Sequence, residues 1–252
     1  MITAGLDIGS RTIALVEWDG KRVIREEVVF TGMNPVENAN RLISGRHYDY
    51  LVATGYGRHL AKENSIADEV ISEITAYAFG ACTLYPDAGT ILDIGGQDSK
   101  VILIGSNGSV ANFEMNDRCA AGTGRFLENM AAALSIDVKD MGEYALEAQG
   151  EPVTISNMCT VFAETEVISY VSRGVDSHQI GLGIHKSIAN RVTAMVRRVG
   201  LRSRFVFAGG VALNPCMRKL ISEALLTEVI IPDSPQTLGA FGAAMKAVQK
   251  IS

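Results

Sequence analysis

The chain has 252 residues, 47% of them hydrophobic and 20% charged, with a formal net charge of −5. That length provides one large domain or two small ones with a sizeable core. The acidic balance, with no clustered basic stripe, speaks against non-specific binding to nucleic acid.

The N-terminal Met-Ile-Thr-Ala-Gly-Leu-Asp has neither a basic start nor a long apolar centre, so no signal peptide is expected. No apolar run approaches the ~20 residues of a membrane span, and a cytoplasmic location is the expectation. Ile2–Ile8 reads as a strand ending in Asp7-Ile8-Gly9-Ser10, followed by strands Thr12–Trp18 and Val23–Phe30 joined through the turn Asp19-Gly20. Asn34-Pro35 opens a short helix through Ile43, and Tyr50–Thr54 is a further strand that runs into a loop, Gly55-Tyr56-Gly57-Arg58. A helix is predicted from Ala67 to Leu84, with Val70, Ile71, Ile74, Ala78 and Cys82 on its buried side and Pro86 closing it.

At residue 90 the pattern restarts. Thr90–Ile94 ends in Asp93-Ile94-Gly95-Gly96, Lys100–Ile104 and Val110–Met115 are the next strands, and Ser106-Asn107-Gly108 is the turn between them. Leu6-Asp7-Ile8-Gly9 and Leu92-Asp93-Ile94-Gly95 agree residue for residue, and each is followed by a hairpin of similar size. This is an internal duplication, implying two related α/β subdomains. Helices are predicted after Cys119 (Phe126, Leu127, Met130, Ala131 and Leu134 on one face), at Met141–Ala148, at Val161–Val171 and at Ser177–Val199. A strand Arg204–Ala208 enters Gly209-Gly210-Val211-Ala212-Leu213-Asn214-Pro215, where Pro215 opens a helix through Leu226. Val229–Ile231 is a strand and Pro235–Val248 a final helix, expected to cross back to the first subdomain. The division is therefore 1–89 with 235–252, and 90–234, with a hinge near residue 90.

Two matched Asp-Ile-Gly turns suit nucleotide phosphates. Glycine lets backbone N–H groups approach phosphate oxygens, and an aspartate at a strand end holds Mg²⁺ directly or through water. Asp7, Gly9, Ser10 and Arg11 are assigned to one phosphate loop, and Asp93, Gly95 and Gly96 to the other. Gln97 or Asp98 is placed to orient an attacking water. Gly209-Gly210, between a strand and a Pro-opened helix, suits a purine lying against bare backbone. A single Asp-Gly pair is as readily a plain strand-ending turn; the matched pair is what carries the assignment.

Four cysteines in a chain this long do not make a disulfide framework; in a reducing compartment they serve as metal ligands, catalytic groups or core fillers. Cys119, in Asp117-Arg118-Cys119-Ala120-Ala121-Gly122-Thr123-Gly124-Arg125-Phe126, and Cys159, in Ser156–Phe162, both sit where a helix is expected to start. A helix N-terminus favours a thiolate or an anionic cluster built from thiolates. These two are read as half of a metal site, and Gly122 and Gly124 in the turn beside it are assigned to cofactor binding. Cys82, on an apolar helical face, and Cys216, beside Pro215, are read as structural. His47, His59, His178 and His185 lack metal-ligand spacing, Glu164 and Glu166 are read as solvated or hinge-contacting, and Arg58 as facing the cleft, a partner or solvent.

Phosphate loop, phosphate loop and adenosine loop, in this order, resemble the actin, sugar kinase and heat-shock chaperone superfamily, which implies a ribonuclease H-like α/β fold. Asp-Ile-Gly-Gly-Gln-Asp, Asn-Asp-Arg-Cys-Ala-Ala-Gly-Thr-Gly, Ala-Gly-Gly-Val-Ala-Leu-Asn-Pro and Thr54-Gly55-Tyr56-Gly57-Arg58 narrow the likeness. Over nearly its whole length the chain is similar to the ATP-dependent activators of 2-hydroxyacyl-CoA dehydratases, relatives of the ATP-binding subunits of benzoyl-CoA reductase. The resemblance implies ATP/ADP and Mg²⁺ as cofactors and a homodimer sharing one 4Fe–4S cluster, with Cys119 and Cys159 as each chain's ligands. It also implies ferredoxin or flavodoxin as electron donor and a dehydratase as partner. Two copies of two thiolates make the four that such a cluster needs. Two other classes share the fold: a small-molecule kinase, for which Asp117 is the one base proposed, and a non-catalytic actin-like assembly or regulatory module.

Overall fold

A computed structural model describes residues 1–157 and 159–251. Met158, inside the Ser156–Phe162 stretch, and Ser252, at the end of the final segment, lie outside the described residues.

The apolar runs form two five-stranded sheets. In the first, β1 (Thr3–Ile8), β2 (Thr12–Trp18), β3 (Val23–Phe30), β4 (Tyr50–Thr54) and β5 (Glu69–Val70) lie in the order β3-β2-β1-β4-β5. In the second, β6 (Thr90–Ile94), β7 (Ser99–Ile104), β8 (Val110–Asn116), β9 (Phe205–Ala208) and β10 (Val229–Ile230) lie in the order β10-β9-β6-β7-β8. Read from the β3 and β8 edges the two orders are the same. In each sheet a three-stranded antiparallel meander is followed by parallel strands reached through helices. The repeated tetrapeptide thus recurs as a repeated topology, with the Asp-Ile pair at the end of the central strand each time.

Helices cover both faces of each sheet, as central strands that are apolar on both sides require. On the first sheet α1 (Pro35–Ile43) and α2 (Arg58–Glu63) enclose a core with Leu6, Ile13, Leu15, Leu42, Leu51 and Ile66. The opposite face receives α9 (Leu238–Ile251), whose Ala240, Phe241 and Met245 pack on Ala14 and Val16. On the second sheet α3 (Glu73–Leu84) covers one face through Tyr77, Ile91, Ile102 and Val206. The other face holds the largest core. There α4 (Gly124–Ala133), α5 (Met141–Leu146), α6 (Thr160–Ser172), α7 (Ser177–Val199) and α8 (Pro215–Leu225) gather around Leu92, Val101, Phe205 and Phe207. Full burial of a side chain such as Phe126, Leu127 or Met130 of α4 is worth about 2 kcal/mol. The Asp176 side chain starts α7 by accepting from the His178 and Gln179 amides, both at 3.1 Å. α3 and α9 cross closely, and the small Gly80 and Gly242 at the crossing leave no room for a side chain.

Several expectations are corrected. The helix predicted over Ala67–Leu84 is two elements: β5 adds to the first sheet beside β4, and α3 begins only at Glu73, after Ser72. The Ser72 hydroxyl accepts from the Thr75 amide at 3.1 Å, a local cap that outweighs the apolar spacing of Val70 and Ile71. The predicted loop Gly55–Arg58 turns directly into α2, which was not anticipated. The helix after Cys119 begins five residues later, at Gly124, with Thr123 at its cap. The final helix starts at Leu238, not Pro235, and runs on to Ile251. Among the described residues no helix is long and apolar enough to cross a membrane.

Candidate functional site

The two Asp-Ile-Gly turns close in the same way. The Gly9 amide donates to the Thr12 carbonyl and the Gly95 amide to the Asp98 carbonyl, each at 2.9 Å. Each aspartate is overlaid by a glycine from the strand beside it: Gly55 after β4 lies on Asp7, and Gly209 after β9 lies on Asp93. Their φ values are 88° and 85°, a left-handed conformation, and a Cβ at either would collide with the aspartate and the following carbonyl. So Thr54-Gly55-Tyr56-Gly57 is the counterpart in the first sheet of the predicted adenosine loop, Ala208-Gly209-Gly210-Val211. Arg58 folds back to donate to the Gly55 carbonyl at 3.0 Å, and Tyr56 stands 82% exposed.

The second turn carries a buried charge cluster. Lys100 Nζ lies 3.0 Å from Asp93 Oδ2, 2.6 Å from Asp98 Oδ2 and 2.7 Å from Glu73 Oε2. Burial opposes the Lys100 charge, but Asp93, Asp98 and Glu73 outweigh it and hold the ammonium well above its usual range. Burial raises the Asp93 carboxyl, against the pull of Lys100. The Asp7 carboxyl is pushed up to about 8, by burial first and then by Glu73, with Asp93 and Asp98 adding and Lys100 opposing. Both predicted metal-binding aspartates therefore belong to one electrostatic group. Asp93 Oδ1 is buried with no hydrogen-bond partner, an oxygen with unused ligand capacity. Lys100, Glu73 and the adjoining buried Tyr77 were not singled out from sequence. The signal was there for Lys100, a lone cation in an apolar strand facing Asp93 across a tight hairpin.

The second turn is also joined to the cysteine segments. At the start of α4 the amides of Gly124 and Arg125 donate to the carbonyls of Gly95 and Gly96, at 2.9 and 2.8 Å. Gly124 thus packs against the second Asp-Ile-Gly turn itself. Gly122, with φ 90°, packs on Arg191. Just upstream, Asn116 Nδ2 donates to the carbonyls of Cys119 and Ala121 at 2.9 and 3.0 Å, which pins the half-buried Cys119 between β8 and α4. Cys119, expected at or just before the helix start, lies upstream of the cap residue Thr123. Cys159 is exposed, it is the N-cap of α6, and its carbonyl accepts from the Ala163 amide at 2.9 Å. The Glu166 carboxylate ties down the stretch before it, accepting from the Ser156 and Asn157 amides and both side chains at 3.0–3.2 Å. Burial opposes the Glu166 charge, yet these hydrogen bonds hold the carboxyl below its usual range. Ala121, Gly122 and Asn157 line one small cavity, so the two cysteine-bearing segments adjoin.

Arg11 bridges the sheets. Its guanidinium donates to both Glu128 oxygens on α4, at 2.9 and 2.8 Å, and its stem lies over Gly96. Its Nη2 is taken by Glu128, a partner that the assignment of Arg11 to phosphate loop one did not foresee. Ser10 and Gln97 are exposed on their turns.

The loop after Gly209 forms a 3-10 turn, Gly210–Leu213, that hands over to α8. The Asn214 side chain caps α8 by accepting from the Met217 amide at 3.0 Å, and its Nδ2 lies 3.0 Å from Nε2 of the buried His185. His185 Nδ1 lies 2.7 Å from the Gly181 carbonyl, which can only accept, so Nδ1 carries the proton and Nε2 receives the Asn214 N–H. Burial lowers this imidazole to about 4. His185 is structural, as expected, but the structure it supports is the predicted adenosine loop.

Cys216 is buried and its thiol pushed up to about 12 by burial; Cys82 packs against the α3 core, and its thiol is raised by burial too. His178 stacks on Tyr144 near Asp176 and Glu147. Asp117 is exposed and lines a cavity of about 670 Å³ with Glu114, Arg118, Arg191 and Arg198, on the α7 face of the second sheet. The Lys100 side chain emerges on the opposite, α3 face.

A profile of the BadF/BadG/BcrA/BcrD ATPase family matches residues 4–247. An activator of lactoyl-CoA dehydratase from Anaerotignum propionicum is 43% identical, over 99% of this chain and 98% of that protein. The crystal structure of (R)-2-hydroxyglutaryl-CoA dehydratase component A from Acidaminococcus fermentans is 40% identical and superimposes with a TM-score of 0.91, covering 99% of this chain and 98% of that one. The activator of 2-hydroxyisocaproyl-CoA dehydratase from Clostridium difficile, solved with bound ADPNP, is 41% identical with a TM-score of 0.90, over 99% and 95%. A glucokinase from Streptomyces griseus, 13% identical with a TM-score of 0.62 over 99% of this chain and all of that one, shares the fold alone. With its two matched sheets and paired Asp-Ile-Gly turns, the chain has the actin-like ATPase fold and belongs to the BadF/BadG/BcrA/BcrD ATPase family.

Proposed function

We propose that this protein is an ATP-hydrolysing activator that, as a homodimer holding one 4Fe–4S cluster, delivers an electron to a partner 2-hydroxyacyl-CoA dehydratase. Ferredoxin or flavodoxin is the electron source in this reading, and the setting is cytoplasmic. The observation that carries it is the pair of hydrogen bonds from Gly124 and Arg125 to Gly95 and Gly96, because they join the phosphate turn to the segment bearing Cys119. Kinship with dehydratase activators, one of them solved with an ATP analogue, supports the nucleotide and the class of partner.

ATP or ADP lies between the two turns, with amides of Gly9, Gly95 and Gly96 toward the phosphates and Gly209-Gly210 under the purine. Asp7 and Asp93 hold Mg²⁺, and the unpartnered Asp93 Oδ1 fits that role. Gln97, exposed beside Gly96, orients the attacking water. Residues 1–89 with 235–252 form one subdomain and 90–234 the other, and nucleotide acts through its different affinity for their open and closed arrangements. Any displacement of Gly95 and Gly96 is passed to α4, and through Asn116 and Gly122 to Cys119.

The thiols suit a shared cluster. Cys159 is exposed and Cys119 half-buried, neither is in a disulfide, and their segments adjoin. α6 presents Val161, Phe162, Ile168 and Val171, between 46% and 66% exposed, right beside Cys159, an apolar face suited to a second copy. When bound, the cluster supplies one-electron chemistry at a potential set by its surroundings. Oxygen-free purification tests the reading. A brown dimer with about four irons is expected, bleached by Cys119→Ser or Cys159→Ser and untouched by Cys82→Ser. A colourless monomer, or equal bleaching by Cys82→Ser, overturns it.

A further inference from the structure

The duplication singles out one position. Across the hairpin that follows each central strand, Asp7 faces Ala14 and Asp93 faces Lys100. An ammonium has three donors, and Lys100 has three carboxylate oxygens around it, from Asp93, Asp98 and Glu73, at 2.6–3.0 Å. Its side chain is only 4% exposed. The donors are thus saturated, and one oxygen of each carboxylate is taken. What remains on Asp93 is Oδ1, buried and unpartnered.

Mg²⁺ loses water reluctantly and is held at nucleotide sites by one or two carboxylates plus phosphate oxygens. A free divalent ion, lacking phosphates, needs more oxygens from the protein itself. The carboxylates that would provide them are those that Lys100 holds. We propose that Lys100 is a tethered cation that occupies the acidic residues of the second turn and keeps free divalent metal out, so that metal enters only with nucleotide. The inference rests on the nucleotide site read above. It makes Lys100 a positioning residue: it leaves Asp93 Oδ1 open to the arriving complex.

The test is binding of Mn²⁺ alone to nucleotide-free, EDTA-treated dimer kept free of oxygen, followed by loss of the free-ion EPR signal. Wild type is expected to bind Mn²⁺ weakly without nucleotide and at least tenfold more tightly once ADP is added. Lys100→Met is expected to bind Mn²⁺ without ADP at least tenfold more tightly than wild type, and Mn²⁺ should raise its thermal midpoint but not that of wild type. If Lys100→Met does not fold, Lys100→Met/Asp98→Asn, which removes one charge of each sign and leaves Asp93 and Glu73, should still bind Mn²⁺ without ADP more tightly than wild type. Equal Mn²⁺ affinity in wild type and variants overturns the proposal, as does wild type binding Mn²⁺ equally well with and without ADP. Binding of ADP in EDTA is read separately by calorimetry. Its absence in wild type would remove the nucleotide site itself, whereas its presence with unchanged Mn²⁺ affinities would remove only the role of Lys100.

Discussion

The two Asp-Ile-Gly turns share a backbone and differ in what surrounds it. Both close on the third residue after the glycine, and both have a left-handed glycine on the aspartate. Around Asp7 the residues in direct contact are Ala14 across the ladder, Gly55 above and Gly239 of α9 beside it, and the charges that act on it, Glu73 first, belong to the cluster of the second turn. Around Asp93 are Lys100, Asp98 and Glu73, and the backbone beyond is bonded to α4. The loops that follow differ likewise. After Gly55 the chain enters α2 at Gly57 with no side-chain cap, whereas after Gly209 it enters α8 through Asn214, capped and held by His185. One copy is a bare turn; the other carries charge, a capped loop and a link to the cysteine segments. Duplication accounts for the matched backbone, and the residues around each copy account for the difference between them.

The largest effect that sharpens this contrast is expected from Lys100→Met. Removing one partner of a buried ion cluster costs about 3–5 kcal/mol, whereas Ala14→Ser at the matching position should cost far less. Urea unfolding of both variants gives the comparison, and equal losses would erase it. Next is the support under the second loop. His185 is neutral in the fold with its pKa lowered to about 4, against 6.5 unperturbed. The unfolded chain therefore takes up the proton first as pH falls. Its contribution is complete above about pH 6.5 and declines toward pH 4, by about 3 kcal/mol in all. His185→Gln should flatten that part of the stability–pH curve, and an unchanged slope would mean the imidazole is not what titrates.

Gly55→Ala and Gly209→Ala test the shared part. Each forces a side chain into left-handed backbone against an aspartate, at about 1–3 kcal/mol. The two losses should be alike, while nucleotide affinity should fall more for Gly209→Ala. A neutral Gly55→Ala would show that the two loops are not equivalent. The smallest effect is expected at the bridge between the turns. Arg11 and Glu128 are 36% and 29% exposed, so a double-mutant cycle should give about 0.2–1 kcal/mol of coupling. No coupling would mean that the sheets meet here without the ion pair contributing.

Every strand but β5, the two turns and the loop at Gly209 were legible because strand periodicity, the repeated tetrapeptide and Pro215 are local signals. Errors arose where two local signals competed. Val70 and Ile71 continue the apolar spacing of α3, but Ser72 caps the helix after them and they fall in and beside a strand. Cys119 stands near a helix in sequence, yet Thr123 begins it. What could not be read were pairings between distant segments: Arg11 with Glu128, Glu73 with Lys100, and His185 with Asn214. Each is made only once the sheets and helices are packed, so no spacing along the chain marks it.

The central claim is that nucleotide at the second turn acts on the cysteine segments through α4. Hydrogen–deuterium exchange of the oxygen-free dimer, with and without ATP, tests it most directly. Exchange at Gly124 and Arg125, and across 117–127, should change on adding ATP, and Asp93→Asn should abolish the change. A response confined to 7–12, 93–98 and 209–214, with 117–127 unaltered, would contradict it.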